Sequence, residues 1–346
     1  MKSEIVFVQW NNGFGGLEKI TTYYESIFIN RNSKVLLFEY HQSGFQYKNY
    51  KLIDKSKKIR FLTEFIKFTR QRRDFLFHFQ IPEIFLLLLT YLLGVRKIVC
   101  QFHGCHTSRK LPEKLLWKFL ERKIRIIVNS KYSKNEIKKK YWLTRDITII
   151  PNFIDEKEFV YNERNYNEEK FIVTYAGRLA KGKNLLLLLE TAKHIKDDKN
   201  EIEFRIYGEG PEMENLKLKV REFSIENKVK FFPFSKNIAQ IYKESHLFIF
   251  MSLFETFGNV VVEAILTGLP VLCYKIPSLA EFIHDDYFFF SEKNPHLIAS
   301  RIIEMKDNYS ISNEKLITVH DAVKKYISNS KIIADIENIY VQLERN

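Results

Sequence analysis

One rhythm constrains this chain more than any other feature: short apolar strands alternate with helical runs, the pattern breaks once, and then it begins again. Parallel strands need crossovers long enough to hold a helix, so this alternation is the signature of an open parallel sheet. In the first half, strands read at Glu4–Gln9, Lys34–Glu39, Phe75–Phe79, Lys97–Phe102, Ile124–Asn129 and Ile147–Ile150. Helical runs lie between them near Gly16–Phe28, Phe61–Arg72, Pro82–Leu93, Pro112–Arg122 and Lys131–Tyr141. Asn152 to Lys170 is polar and without period, which marks a connection between domains. Strands then resume at Phe171–Ala176, Glu203–Tyr207, Lys228–Phe232, Leu247–Met251, Val271–Tyr274 and near Tyr287–Phe290, and a helical stretch, Ser330–Leu343, ends the chain. The expected fold class is α/β, with two doubly wound parallel-sheet domains over residues 1–152 and 153–328; the 346 residues suit two domains. Ligands of such sheets bind outside the carboxyl ends of the strands, so the two domains are expected to face a central cleft that holds the site.

Charge separates the halves. Residues 1–150 carry 29 Lys and Arg against 12 Asp and Glu, whereas the remainder carries 26 against 30. The whole excess of positive charge therefore lies in the first half, where an anionic partner is expected. Two basic clusters stand out there: Lys55, Lys57, Lys58, Arg60, Lys67, Arg70, Arg72 and Arg73, and then Arg109, Lys110, Lys114, Lys118, Arg122, Lys123 and Arg125. Lys114, Lys118 and Arg122 are spaced four apart on one helix face beside Leu115, Leu116, Phe119 and Leu120, a pattern suited equally to a solvated core-packed helix and to an anionic membrane surface. No recognised nucleic-acid-binding motif accompanies the charge, so no nucleic acid is expected. Three cysteines, Cys100, Cys105 and Cys273, do not make a disulfide framework or a zinc site and read as small buried hydrophobes in a reducing compartment. The start of the chain lacks a signal-peptide pattern, and the longest apolar run, Ile84 to Val95, is too short to span a bilayer. A cytoplasmic protein is expected, with peripheral attachment to the membrane left open.

Five segments carry chemistry. The richest runs from Leu253 to Ala264: Glu255 sits in the turn after an apolar strand, Phe257, Gly258, Asn259 and Val260 open a helix, and Glu263 follows inside it. Backbone N–H groups at a helix start attract phosphate, a glycine permits close approach, and the two carboxylates can accept hydrogen bonds from sugar or ribose hydroxyls. The second, Tyr175 to Asn184, places Arg178 and Lys183 after a strand, where they can neutralise a diphosphate. The third, Tyr207-Gly208-Glu209-Gly210-Pro211, is a tight turn after another strand, with Pro211 suited to a first helical turn. The fourth, Asn12 to Glu18, matches the dinucleotide fingerprint weakly; Gly15 and Gly16 fit a flexible loop over a phosphate better. The fifth is His103-Gly104 at a strand end, where an imidazole can position a substrate or move a proton.

Taken in order, the Gly-Gly-x-Glu loop, the His-Gly pair, "IPNFID", "YAGRLAKGKN", "YGEGP" and the Glu255–Glu263 box resemble the retaining glycosyltransferases of family 4, the group 1 glycosyl transferases, and in particular those that build bacterial surface polysaccharides. The resemblance covers nearly the whole chain and is strongest from Ile149 to Glu281. It implies the GT-B fold of two Rossmann-like domains, an N-terminal one for the acceptor and a C-terminal one for the nucleotide-sugar, with the final helix, residues 329–346, packing back on the first. It implies that Arg178 and Lys183 hold the donor diphosphate, that Glu255 contacts the transferred sugar and Glu263 the ribose, and that backbone from Phe257 to Val260 meets sugar and phosphate. Gly208 and Glu209 would line the donor site, Gly15 and Gly16 would approach its phosphate, and His103 would sit near the reacting carbon. The implied reaction is hexosyl transfer from a nucleotide-sugar, a UDP-sugar by expectation, to a glycan or lipid-diphosphate-linked saccharide of a polysaccharide, O-antigen or capsule. Alternatives are a GT-B nucleotide-sugar 2-epimerase and a non-catalytic sugar-nucleotide-binding subunit. The chain has no Asp-x-Asp triplet, so neither a metal nor another cofactor is expected. Phe153 and Pro233 stand where the family often has glycine.

Overall fold

The structure, a computed structural model, describes residues 3–10, 16–28, 32–39, 50–54, 58–104, 111–164, 166, 170–195 and 202–345. The chain divides into two compact units, residues 1–153 with 327–346, and residues 154–326.

The first unit contains β1 (Ile5–Trp10), α1 (Gly16–Ile27), β2 (Lys34–Glu39), β3 (Tyr50–Asp54), α2 (Lys58–Arg70), β4 (Leu76–Phe79), α3 (Ile84–Leu92), β5 (Ile98–Phe102), α4 (Leu111–Leu120), β6 (Arg125–Val128), α5 (Lys131–Tyr141) and β7 (Thr148–Ile149). Its strands form one parallel sheet in the order β3-β2-β1-β4-β5-β6-β7. Because side chains alternate across a strand, each face has its own core. Val6, Val8, Phe77, Phe79, Cys100 and Phe102 pack on one face with Trp117 and Tyr141. Ile5, Phe7, Leu76, Val99 and Ile127 pack on the other with Tyr24 and Phe28. Phe153 closes against this second face, its ring 4.5 Å from that of Tyr23.

The second unit contains β8 (Phe171–Ala176), α6 (Leu185–His194), β9 (Ile202–Tyr207), α7 (Met213–Glu222), β10 (Val229–Phe232), α8 (Ile238–Lys243), β11 (Leu247–Phe250), α9 (Asn259–Leu266), β12 (Val271–Tyr274), β13 (Phe289–Phe290), α10 (Pro295–Asp307) and α11 (Tyr309–Tyr326). Its parallel sheet runs β10-β9-β8-β11-β12-β13. The irregular segment ahead of β8 is fastened to this unit by Arg164, whose guanidinium donates to the carbonyls of Ser245 at 2.6 Å and Thr267 at 3.1 Å.

The last helix, α12 (Asn329–Arg345), belongs to the first unit. Its apolar residues fall at helical spacing, and Ile332, Ile336, Ile339, Tyr340 and Leu343 complete the core that holds Ile5 and Phe7. Cys100 and Cys273 are free and buried, one in each sheet; Cys105 lies outside the described residues. Among the described residues no helix is long and apolar enough to cross a membrane.

Candidate active site

Each sheet has one place where the strand order reverses. In the second unit β8, β9 and β10 run one way and β11, β12 and β13 the other, so the reversal lies between β8 and β11. The loops leaving the carboxyl ends of neighbouring strands part at such a point and leave a crevice. The two loops that part here are residues 177–184 and 251–258, which carry Arg178, Lys183, Glu255 and Gly258.

The β8 loop is held by its neighbour. Gly177 donates its N–H to the Tyr207 carbonyl at 3.0 Å, Leu179 donates to Glu209 at 2.8 Å, and Glu212 donates back to Leu179 at 3.0 Å. This close apposition explains Gly208: its φ is +143°, and a Cβ there would lie 2.0 Å from the Gly177 carbonyl oxygen. The glycine of the third segment thus serves backbone packing, while the Glu209 side chain stays exposed. Arg178 stands between the two tethered residues with its side chain exposed. A short 3-10 turn, Lys181–Lys183, then brings Lys183 back across the reversal, and its ammonium pairs with the Glu255 carboxylate. The two side chains keep 29% and 24% exposure, so the pair is neither fully solvated nor sealed. Tyr175 lies beside it. Burial, with help from the Glu255 charge, pushes its phenol up, so it stays protonated and donates to the Arg178 carbonyl at 3.2 Å.

The β11 loop is fixed from below. Ser278 donates to the Glu255 carbonyl at 2.8 Å, and Phe257 is buried against Phe282 and Tyr326. Gly258 caps α9 at φ +86°, and a Cβ there would meet Leu279 Cδ2 at 2.7 Å. The same glycine leaves the first turn of α9, with Asn259 and Val260, without a side-chain cap and without an acidic residue, so the positive end of the helix is not neutralised by its own sequence. Glu263 lies a turn further on, only 8% exposed, and hydrogen-bonds the buried Tyr242 hydroxyl. Among the described residues, two buried polar atoms at this reversal have no hydrogen-bond partner: Ser252 Oγ at the end of β11 and Asn184 Nδ2 at the start of α6. Tyr175 and Asn184 lie at the two ends of the second segment, whereas Ser252 and Tyr242 belong to no motif; sequence reasoning singled out none of the four.

In the first unit the reversal lies between β1 and β4. Gly15 is outside the described residues, and Gly16 is the first residue of α1. His103, after β5, is half-buried; its Nε2 lies 2.6 Å from Oε1 of Gln80, the residue after β4. An amide oxygen only accepts, so Nε2 carries the proton. Burial lowers the His103 pKa to about 4 against a smaller opposing contribution from Asn152, and the imidazole is neutral at pH 7. Beneath it, His78 bonds Tyr340 at 2.7 Å and Gln101 at 3.1 Å.

The basic face of α4 is partly apolar. Trp117 and Leu120 are buried, but Leu111, Leu115 and Phe119, one turn apart, are 57%, 58% and 47% exposed. Phe85 and Leu92 of α3 and Trp142 after α5 are also exposed, and the Lys114 ammonium stands 4.2 Å over the Trp142 ring. Lys55, Lys57, Arg109 and Lys110 lie outside the described residues.

Comparison with known proteins decides the family. Residues 156–319 match Glycosyl transferases group 1, and residues 27–158 match Glycosyltransferase Family 4. The chain belongs to the family 4, group 1 glycosyltransferases. Among the relatives of this glycosyltransferase, the N-acetyl-alpha-D-glucosaminyl L-malate synthase of Bacillus anthracis is 25% identical over 88% of this chain and 82% of its own. The O-antigen biosynthesis glycosyltransferase WclY of Escherichia coli is 25% identical over 76% and 77%. Among solved structures, Anabaena HepE in complex with UDP and glucose superposes with a TM-score of 0.82 at 17% identity, covering 98% of this chain and all of that one. The glycosyltransferase therefore has the GT-B fold, two Rossmann-like domains with sheets of seven and six parallel strands.

Proposed function

We propose that this glycosyltransferase is a retaining enzyme that moves a hexosyl group from a UDP-sugar to a glycan or lipid-linked saccharide during assembly of a bacterial surface polysaccharide. The observation that carries the reading is the Lys183–Glu255 pair across the β8–β11 reversal, beside the uncapped start of α9. A nucleotide-sugar matches both partners at once: its diphosphate suits the ammonium, and a sugar hydroxyl suits the carboxylate. Arg178 on the same loop supplies a second cation for the diphosphate. The UDP and glucose held by HepE and the O-antigen role of WclY support the donor and the pathway class.

In the proposed step the bond from the anomeric carbon to the diphosphate oxygen breaks first. Electron density passes to the departing diphosphate, where Arg178, Lys183 and the helix start stabilise it, and the sugar gains oxocarbenium character. The acceptor hydroxyl adds on the face the diphosphate leaves, and its proton passes to a departing phosphate oxygen. No side chain has to act as a nucleophile, and the step calls for no metal. Glu263, already bonded to Tyr242, would accept from the ribose hydroxyls with a carboxylate held in place. The first unit would bind the acceptor. The exposed Leu111, Leu115 and Phe119 beside Lys114, Lys118 and Arg122 would rest on anionic lipid at the inner face of the cytoplasmic membrane, where a lipid-diphosphate acceptor is found.

The test is a panel of UDP-, GDP- and other nucleotide-sugars screened for protection against thermal unfolding, followed by turnover with the best donor. The expected result is protection by UDP-sugars and, in Lys183→Ala, a loss of about a hundredfold or more in turnover with little change in melting temperature. Unchanged turnover in that variant, or protection by no nucleotide-sugar, would refute the reading.

A further inference from the structure

The first unit has its own strand-order reversal, and the residue that sits on it belongs to no motif. Gln80 follows β4 and donates its backbone N–H to the Val8 carbonyl of β1 at 2.8 Å, which places it at the seam between the two strands that part. Its side chain is 1% exposed. One end of that amide is used: Oε1 accepts from His103 Nε2 at 2.6 Å. The other end is not. Nε2 of Gln80 is buried and has no hydrogen-bond partner among the described residues. A buried amide donor left unpaired is unfavourable, and an oxygen from outside the resting protein would satisfy it. His103, its bonded neighbour, is half-exposed, so the pair sits at the rim of the sheet and not inside the core.

We propose that Gln80 is a substrate-binding residue, its amide nitrogen donating to an oxygen of the bound substrate while its amide oxygen holds His103 in the Nε2–H form. The inference rests on the glycosyltransferase reading and adds a residue to it. The ligand chemistry is an oxygen acceptor, either a phosphate oxygen of the donor or a hydroxyl of the acceptor. The neutral imidazole fits this arrangement, because a protonated ring would place a fixed charge beside the amide; the titratable neighbour that faces it is His78, whose pKa is lowered by burial first and by the proximity of His103 second, so that it too is neutral at pH 7.

Two variants separate the roles. Gln80→Leu removes both ends of the amide. Gln80→Glu keeps an oxygen for His103 but removes the donor. Each is compared with the wild type and Lys183→Ala by calorimetric titration with UDP-glucose and by steady-state turnover, with donor and lipid-extract acceptor varied in turn. Both Gln80 variants are expected to keep a melting temperature within a few degrees of wild type and to lose about five- to tenfold in kcat/KM if the partner is a hydroxyl, seen on varying the acceptor. The loss exceeds about tenfold, with weaker UDP-glucose binding, if the partner is a phosphate oxygen. Wild-type constants in Gln80→Glu would overturn the donation. If wild type and Lys183→Ala differ as expected while both Gln80 variants match wild type, the glycosyltransferase reading stands and this proposal alone falls. If the wild type neither binds nor transfers any nucleotide-sugar of the panel, the reading falls and this proposal with it.

Discussion

Glu121 has a side chain only 1% exposed, yet it stays ionised. Burial alone would raise its pKa. Lys118 at 2.7 Å and the backbone amides of Thr144 at 2.8 Å and Arg145 at 3.1 Å outweigh that and bring the carboxyl down to about 2. A carboxylate with a depressed folded pKa stabilises above its unfolded value and loses that contribution as pH falls toward the folded one. Glu121→Gln should therefore cost about 2 kcal/mol at pH 7, with the difference from wild type narrowing between pH 4.5 and 2. All three tryptophans, Trp10, Trp117 and Trp142, lie in the first unit, so fluorescence-monitored denaturation reports this directly. At this scale the sequence displays residue types but not partnerships. Lys183 and Glu255 stand out in their motifs, whereas their pairing spans 72 positions and needs the sheet to bring them together. Gln80 carries no local signal, because its meaning comes from which strands it lies between.

Among elements, α4 makes the sharpest claim about surroundings. A helix whose Leu115 and Phe119 face solvent beside Lys114 and Lys118 carries an energetic cost in water that an anionic bilayer would remove. Leu115→Glu with Phe119→Glu should leave the fold intact, since neither side chain is in the core, and should abolish flotation with vesicles containing anionic lipid at low salt. Equal flotation of wild type and variant would end that assignment. Most elements were readable from period and punctuation, since parallel strands buried on both faces read as apolar runs. β3 was not. It is an edge strand in which Ile53 is the one buried residue, so Tyr50–Asp54 shows neither an apolar run nor a clean alternation. Gly258 was legible as important for a reason that needed enlarging: its positive φ and the Leu279 methyl demand a glycine before any ligand does.

For the whole molecule, two buried histidines of the first unit set a response to acid. Burial holds His78 near 3, with His103 adding to the effect, and holds His103 near 4. Both take up protons near 6.5 when unfolded, so stability is greatest above that value and declines as pH falls toward the folded pKa values. Each histidine should contribute about 1.4 kcal/mol per pH unit to the decline between pH 6 and 4.5. Tryptophan-monitored denaturation should show the slope, and His78→Gln should reduce it by about half; an unchanged slope would mean that the His78–Gln101–Tyr340 cluster does not govern acid lability. The return of the last helix to the first unit is not written in any local pattern. Its amphipathic spacing says only that it packs on something, and the family resemblance supplied the destination.

That return also sets an order of events on the ribosome. The first unit is built from residues 1–153 and 327–346, with residues 154–326 made in between. At about 5–20 residues per second, the interval is on the order of ten to thirty-five seconds. Throughout it, Ile5, Phe7, Tyr24 and Phe28 of the nascent chain wait for α12 to cover them. The second unit is one continuous stretch and can fold as it is made, so residues 1–153 are made before it yet completed after it, and are the more exposed to chaperones or to aggregation while they wait.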